Sequence, residues 1–273
     1  MIDTRAPLTG SPLNTGLMQW YMVTYQMFGG RTWYDLARGA NGTIINMDSG
    51  ASGWRSTTRP GGMGHLQFDG TNDLVRLPIT QRHKPSQITV AAWVLSQTTG
   101  VRAVYSVDYA ATGTWGTPNA AVRLIQNGSG FPEFRVAVSG IERTATGAVS
   151  TQGAWSHWVG TYDGSAVRLF VDGRQVAATG ITGVIDWGTS ADASIGDRSP
   201  YTTGHRFVGG IDDVRVWSRA LSAGDVAALF ADSMTGYAST LRRIPLAFSA
   251  ATATQTRPWL FRRRASVSGS GVI

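Results

Sequence analysis

This chain of 273 residues is short of several things. It has no cysteine, which excludes disulfides and thiolate metal sites and leaves the redox compartment open. No stretch approaches ~18 uninterrupted apolar residues, so no membrane span is expected. The opening MIDTRAPLTGSP lacks the apolar segment of a secretory signal, and none is expected. Glutamate is nearly absent, at Glu133 and Glu142 only, and the histidines are His65, His83, His157 and His205. A glycosidase needs two carboxyl groups about 5–10 Å apart across the scissile bond. No strand here carries an acidic pattern with glutamate at both ends. Asp212 and Asp213, adjacent on an extended run, are expected to face opposite ways and so not to act as a pair. There is no Gly-x-Ser-x-Gly elbow, no thiol nucleophile, and no histidine pair at zinc spacing. His157, inside a strand run, reads as a packed residue rather than a base. The expectation is a protein that is not an enzyme.

Acidic residues also stop early. The last is Asp232, and beyond it come Arg242, Arg243, Arg257, Arg262, Arg263 and Arg264. These six account for nearly all of the net charge of +7, so residues 1–232 are close to neutral. A nucleic-acid surface belongs on a folded face, and none is evident; nucleic acid is not expected as a partner. Residues 233–273 read instead as a basic tail. Its clusters LRRIPLAF and RPWLFRRR place large apolar side chains beside arginines, the composition of an arm that orders on a partner. The docking candidates are Arg242, Arg243, Trp259, Phe261, Arg262, Arg263 and Arg264.

What the chain has is glycine, 34 residues of it, and short β-prone runs. Residues 1–16 read as an extended N-terminal arm. Strands are expected over 17–25, 66–68, 74–77, 88–95, 103–107, 120–126, 133–139 and 193–196. Residues 29–64 read as a long loop with a few short strands, pinned to the core by Trp33, Tyr34 and Trp54. Ile88–Leu95 (ITVAAWVL) is uncharged and β-branched, as a central strand should be. Two Asp-Gly turns, at 163–164 and 172–173, join 155–162, 166–171 and 174–178 into a meander. Near the end, GGIDDVRVW reads as a strand with Ile211, Asp213, Arg215 and Trp217 on one face and Asp212, Val214 and Val216 on the other. Ser222, three residues before Asp225, then opens a short helix with a capping box. About a dozen strands at this spacing indicate an all-β, two-sheet sandwich or jelly roll. The domain is expected over 17–232.

The series FDGTND (68–73), ITVAAWV (88–94), WSHWVGTYDGSAVRLFVDGRQV (155–176), ASIGD (193–197) and GGIDDVRVWSRALS (209–222) resembles the laminin-G-like members of the concanavalin A-like lectin/glucanase superfamily. The resemblance covers roughly residues 17–231. It implies a two-sheet antiparallel jelly roll, used most often for binding and often holding one Ca²⁺. Asp212, set among apolar neighbours, needs a compensating cation, either calcium or a nearby arginine, or else backbone amides. The proposed calcium ligands are Asp35, Asp212 and the segment of Gly39 and Asn41, which would join the first loop to the last strand. Asp69 and Asp73 are expected to serve the FDGTND turn. Trp93, Trp158 and Trp217 are expected to be core residues. Loop aromatics and a neighbouring amide are the glycan candidates: Tyr109, Trp115 and Asn119 in one loop, with Trp187 and Tyr201 in others. A stand-alone jelly roll with a terminal arm and an arginine-rich tail also resembles virion proteins of tailed bacteriophages. The function implied is a virion surface protein, as capsid decoration, fibre or tail component. It would contact other virion proteins through its arms and cell-surface glycans through its sandwich. The alternatives are an extracellular carbohydrate-binding module and, more weakly, a polysaccharide hydrolase or lyase.

Overall fold

The structure is a computed structural model that describes residues 11–23, 30–37, 40–47, 50–56, 59, 61–108, 120–188, 192–198 and 205–232. Within these, the chain forms β1 (Leu17–Tyr21), β2 (Thr32–Trp33), β3 (Gly42–Ile45), β4 (Gly53–Arg55), β5 (His65–Asp69), β6 (Leu74–Pro78), β7 (Ile88–Ser96) and β8 (Arg102–Asp108). There follow β9 (Ala120–Gln126), β10 (Pro132–Val138), β11 (Ile141–Thr146), β12 (Trp155–Tyr162), β13 (Ala166–Val171), β14 (Arg174–Gly180), β15 (Asp192–Ile195), β16 (Val208–Trp217) and the helix α1 (Ala223–Asp232). No helix among the described residues is long and apolar enough to cross a membrane.

The strands make two antiparallel sheets. The first runs β14-β13-β12-β7-β16-β5-β4, with β1 also paired to β16; the second runs β11-β10-β9-β8-β15-β6-β3-β2. As its composition predicts, β7 is central, between β12 and β16. The main core lies between the sheets. Val90, Ala92 and Val94 of β7 and Trp158 and Tyr162 of β12 meet Leu124 of β9 and Phe134 and Val136 of β10 there. Gly160 lets the sheets approach: a Cβ on it would lie 2.0 Å from the Phe134 ring of the opposite sheet.

A second apolar cluster covers part of the first sheet's outer face. Ala91, Val159, Phe170 and Trp217 of the sheet pack there with Leu13, Leu221, Val226 and Leu229. The capping box of α1 forms as expected: Asp225 N–H donates to Ser222 Oγ (3.1 Å), and Ser222 N–H donates to Asp225 Oδ2 (3.1 Å). Residues 11–16 are not a free arm. Leu13 is buried, its carbonyl accepts from the Trp217 indole (2.6 Å), and Arg219 donates to Pro12 and Thr15 carbonyls. One apolar side chain and a set of bare carbonyls were enough to dock that segment.

Two differences from expectation concern strands. The polar β11 (IERTAT) has no apolar alternation, yet it pairs fully with β10 at the edge of the second sheet. Tyr34 is 44% exposed and pins nothing, whereas Trp33 is fully buried and Trp54 packs against the core.

Candidate ligand-binding site

The last strand, β16, does not alternate as its sequence implies. The register against β7 shifts between Asp212 and Arg215, and Asp213 has φ +52°, in the left-handed region. Asp213 is the extra residue of a β-bulge, and one extra residue resets which side chains face in. Ile211, Val214 and Val216 therefore all enter the main core. Asp212, opposite Trp93, and Asp213 both lie on the outer side. This corrects the expectation that they face opposite ways and that Asp212 shares a face with Val214.

Each of the two acids has its own guanidinium. Arg59 Nη2 and Nε donate to Asp212 Oδ2 at 2.6 and 2.9 Å, and both side chains are fully buried. Val23 N–H donates to Asp212 Oδ1 (2.9 Å). Arg215 donates to both oxygens of Asp213, at 2.7 and 2.8 Å, and the Trp20 indole adds a third bond at 2.7 Å. Arg59 lies over the Trp93 ring and Arg215 over the Trp20 ring, at 5.2 and 4.4 Å from the centroids. Burial pushes the Asp212 carboxyl up to about 6 against the pull of Arg59. For Asp213 burial acts the same way, but Arg215 wins and the carboxyl titrates below its ordinary value. His157 is buried beside this cluster, packed with Trp93 and Phe230 of α1, which also stack on each other. Burial lowers its pKa to about 3, so it is a neutral packed ring, as expected.

The carboxylates among the proposed calcium ligands are engaged by protein groups. Asp35 Oδ1 accepts from Trp20 and Ala37 N–H, both at 2.9 Å, and Oδ2 accepts from Ala40 N–H (3.2 Å). Asn41 Oδ1 accepts from Asp35 N–H (3.1 Å). Gly39 lies outside the described residues. Asp212 is met by both protein alternatives, the Arg59 guanidinium and the Val23 backbone amide. Among the described residues no group of three or more His, Asp or Glu side chains could hold an ion. The first loop does reach the last strand, but through β1, which pairs with β16 and bridges to Asp35 at Tyr21. Asp69 and Asp73 serve their turn: Asp73 Oδ2 accepts from Asp69 N–H and Asp69 Oδ1 from Thr71 N–H.

The outer face of the second sheet holds what the sequence reading missed. Leu124 and Phe134 enter the core, so Arg123 and Arg135, which pair across β9 and β10, point away from it. A relay of charges crosses four strands. Arg198 donates to Asp108 (3.0 Å), and Arg123 donates to the other Asp108 oxygen (2.9 Å). Arg123 lies 3.9 Å from Glu142, Arg135 donates to Glu142 (3.2 Å), and Arg135 also donates to Glu133 (2.6 Å). The relay is buried at Asp108 and becomes half-exposed at Arg135. Asp197, beside Arg198, is pushed up to about 6, chiefly by burial. A signal was present: single arginines inside AAVRLIQ and PEFRVAV, strand runs that are otherwise apolar or that alternate with it.

This relay roots two of the aromatic-bearing loops. Asp108 and Ala120, paired across β8 and β9, flank the loop of Tyr109, Trp115 and Asn119. Arg198 precedes the loop of Tyr201. Those four residues lie outside the described residues, but their stems meet at the Asp108–Arg198 pair. Trp187 has another part: its indole donates to the Pro85 carbonyl (2.9 Å) and its ring packs against the core. Arg242, Arg243, Trp259, Phe261, Arg262, Arg263 and Arg264 also lie outside the described residues.

A two-sheet antiparallel jelly roll whose buried carboxylates are held by arginines or backbone amides defines a lectin-like sandwich. The chain belongs to the concanavalin A-like lectin/glucanases superfamily: its laminin-G-like family matches residues 69–227. No curated protein matches the sequence. Among solved structures, the binding domain of Paraclostridial Mosquitocidal Protein 1 is 13% identical, with a TM-score of 0.59 over 80% of this chain and 52% of that one. The receptor-binding domain of botulinum neurotoxin D is 10% identical, with a TM-score of 0.59 over 80% of this chain and 53% of that one. A Trypanosoma rangeli sialidase mutant displaying trans-sialidase activity is 16% identical, with a TM-score of 0.58 over 80% of this chain and 33% of that one. The chain thus spans about half the length of the two toxin domains, and at these identities the likeness is one of fold.

Proposed function

We propose that this chain is a non-catalytic, glycan-binding jelly roll displayed on the surface of a tailed-bacteriophage virion. The observation that supports the binding reading is the Asp108–Arg198 ion pair, at which one end of the segment holding Tyr109, Trp115 and Asn119 meets one end of the segment holding Tyr201. Aromatic faces for sugar stacking, flanked by amide and charged groups, are the chemistry such an end would offer. The two toxin domains named above are described as binding and receptor-binding domains, and the proposal carries that use of the fold to this chain. Against catalysis stands the pairing of Asp108, Glu133, Glu142, Asp212 and Asp213 with arginines, which occupies the carboxylates a glycosidase would need. The virion reading is supported by the arginine-rich, acid-free segment beyond Asp232, the end of α1.

A glycan array probed with the full chain should give saccharide hits, and Trp115→Ala should weaken them by at least about tenfold, or ~1.4 kcal/mol. An array without hits would end the glycan reading. Removing residues 233–273 should abolish incorporation into particles and spare the sandwich's melting temperature. If glycan binding persists and the full chain never joins a particle, an extracellular carbohydrate-binding module becomes the better description.

A further inference from the structure

The outer face of the first sheet is covered by the helix and its apolar cluster at one part only. Elsewhere a row of residues crosses five strands in register: Gly53, Gln67, Gly210, Leu95 and Trp155. Their neighbours Leu66, Phe68, Ile211 and Val94 enter the core, so this row faces outward. At its centre the space that a side chain on Gly210 would take is filled by two rings. A Cβ there would lie 2.7 Å from Trp155 and 2.8 Å from His65, so both rings rest on bare backbone. The rings meet edge to face, with centroids 5.2 Å apart.

Amides surround them. His65 Nε2 lies 3.3 Å from Gln67 Oε1, Gln67 Nε2 donates to Gln97 Oε1 (3.1 Å), and Gln152 Nε2 donates to the Gln97 carbonyl (3.3 Å). With its Nε2–H given to Gln67, His65 keeps a lone pair at Nδ1. That buried atom and the buried Trp155 indole N–H have no protein hydrogen-bond partner. The groups left to meet a ligand are the exposed Gln97 and Gln152 amides, neutral donors and acceptors that suit hydroxyls, which can serve as both. No carboxylate belongs to the row, and Arg55, opposite His65, is bonded to the Trp54 and Gly50 carbonyls. Trp155 is half-buried, while Gln97 and Gln152 are exposed.

We propose that Trp155, His65, Gln67, Gln97 and Gln152 around Gly210 form a second binding platform, whose ligand is a neutral pyranose ring. The ring's C–H face lies on the indole and its outer hydroxyls meet the Gln97 and Gln152 amides. An uncharged donor-and-acceptor lining favours neutral sugars over uronic or other acidic ones. The platform lies on the first sheet, whereas the loop stems belong to the second.

The test is a titration of the full chain, ¹⁵N-labelled at tryptophan, with neutral oligosaccharides of glucose, galactose and mannose. The Trp155 indole resonance, identified by its loss in Trp155→Phe, should shift saturably with at least one of them, with Kd on the order of 1 mM. Gln97→Ala should raise that Kd at least about fivefold without moving the melting temperature, and Trp115→Ala should leave it unchanged. Absence of any shift, a shift with acidic saccharides only, or an unchanged Kd in folded Gln97→Ala would each overturn the proposal. Loss of the shift in Trp115→Ala would assign the binding to the loop end instead.

Discussion

Arg59 is the residue whose role could not be anticipated. It stands in a Ser-, Thr- and Gly-rich stretch, 153 residues before its partner, and ends up fully buried against Asp212. Breaking such a pair from one side strands a charge and costs about 3–5 kcal/mol. Arg59→Met should therefore lower stability by that order in chemical denaturation. Chelator added to the unmodified chain should leave the melting temperature unchanged, because the cation is a side chain. A chelator-dependent melting shift would show that a metal does the work instead. Gly160 is the matching case in the core. Gly160→Ala drives a methyl into Phe134, and overpacking of this kind costs about 1–3 kcal/mol. Little loss on denaturation would mean that the sheets separate more easily than the contact implies.

Elements with a strong local code behave as read. The helix start at Ser222 and Asp225 needs only residues three apart, and both reciprocal bonds form. Ser222→Ala should cost ~1 kcal/mol, with Ser222→Thr largely restoring it, as measured by thermal unfolding. The meander of β12, β13 and β14 and the central place of β7 were legible for the same reason: turn residues and apolar runs report on their own neighbourhood. β16 was legible as a strand but not in its facing. A bulge is one residue in a left-handed conformation, and Asp is one of the few non-glycine types that tolerate it. Nothing in IDDVRVW says which residue will be the extra one. The partner strand decides, by keeping Val90, Ala92 and Val94 in the core.

For the whole molecule, pH is the readiest probe. Burial lowers His157 to about 3 and His83 and His205 to about 4, below an unfolded value near 6.5. Their contribution to stability is complete above about pH 6.5 and is lost as pH falls toward 4, because the unfolded chain takes up the protons there. Asp73, Asp197 and Asp212, raised to about 6, act in the opposite sense: their contribution is complete below about pH 4 and lost as pH rises through 6. The three acids offset most of what the three histidines lose, and the larger histidine shifts leave a small net loss on acidification. Stability from urea unfolding should fall only slightly between pH 6.5 and 4, and His157→Gln should shift that change by on the order of 3 kcal/mol toward the folded state at pH 4. A profile as steep in the variant as in the parent would remove His157 from the account.

The sequence by itself determined the class of fold, the position of most strands along the chain and the helix with its cap. These rest on alternation, turn chemistry and capping, which act over a few residues. It also determined that the acids end at Asp232 and that the glutamates are too few for a familiar acid pair. Only the tertiary structure decided which charges meet. Asp212 finds Arg59, Asp108 finds Arg198, and His65 and Trp155 meet over Gly210, each across long separations in the chain. Such pairings depend on sheet register and on the facing of each strand, and one bulge residue is enough to reverse the facing. At Asp212 the need for a compensating group was legible, and the arginine that meets it was set by which segment the fold carried past it.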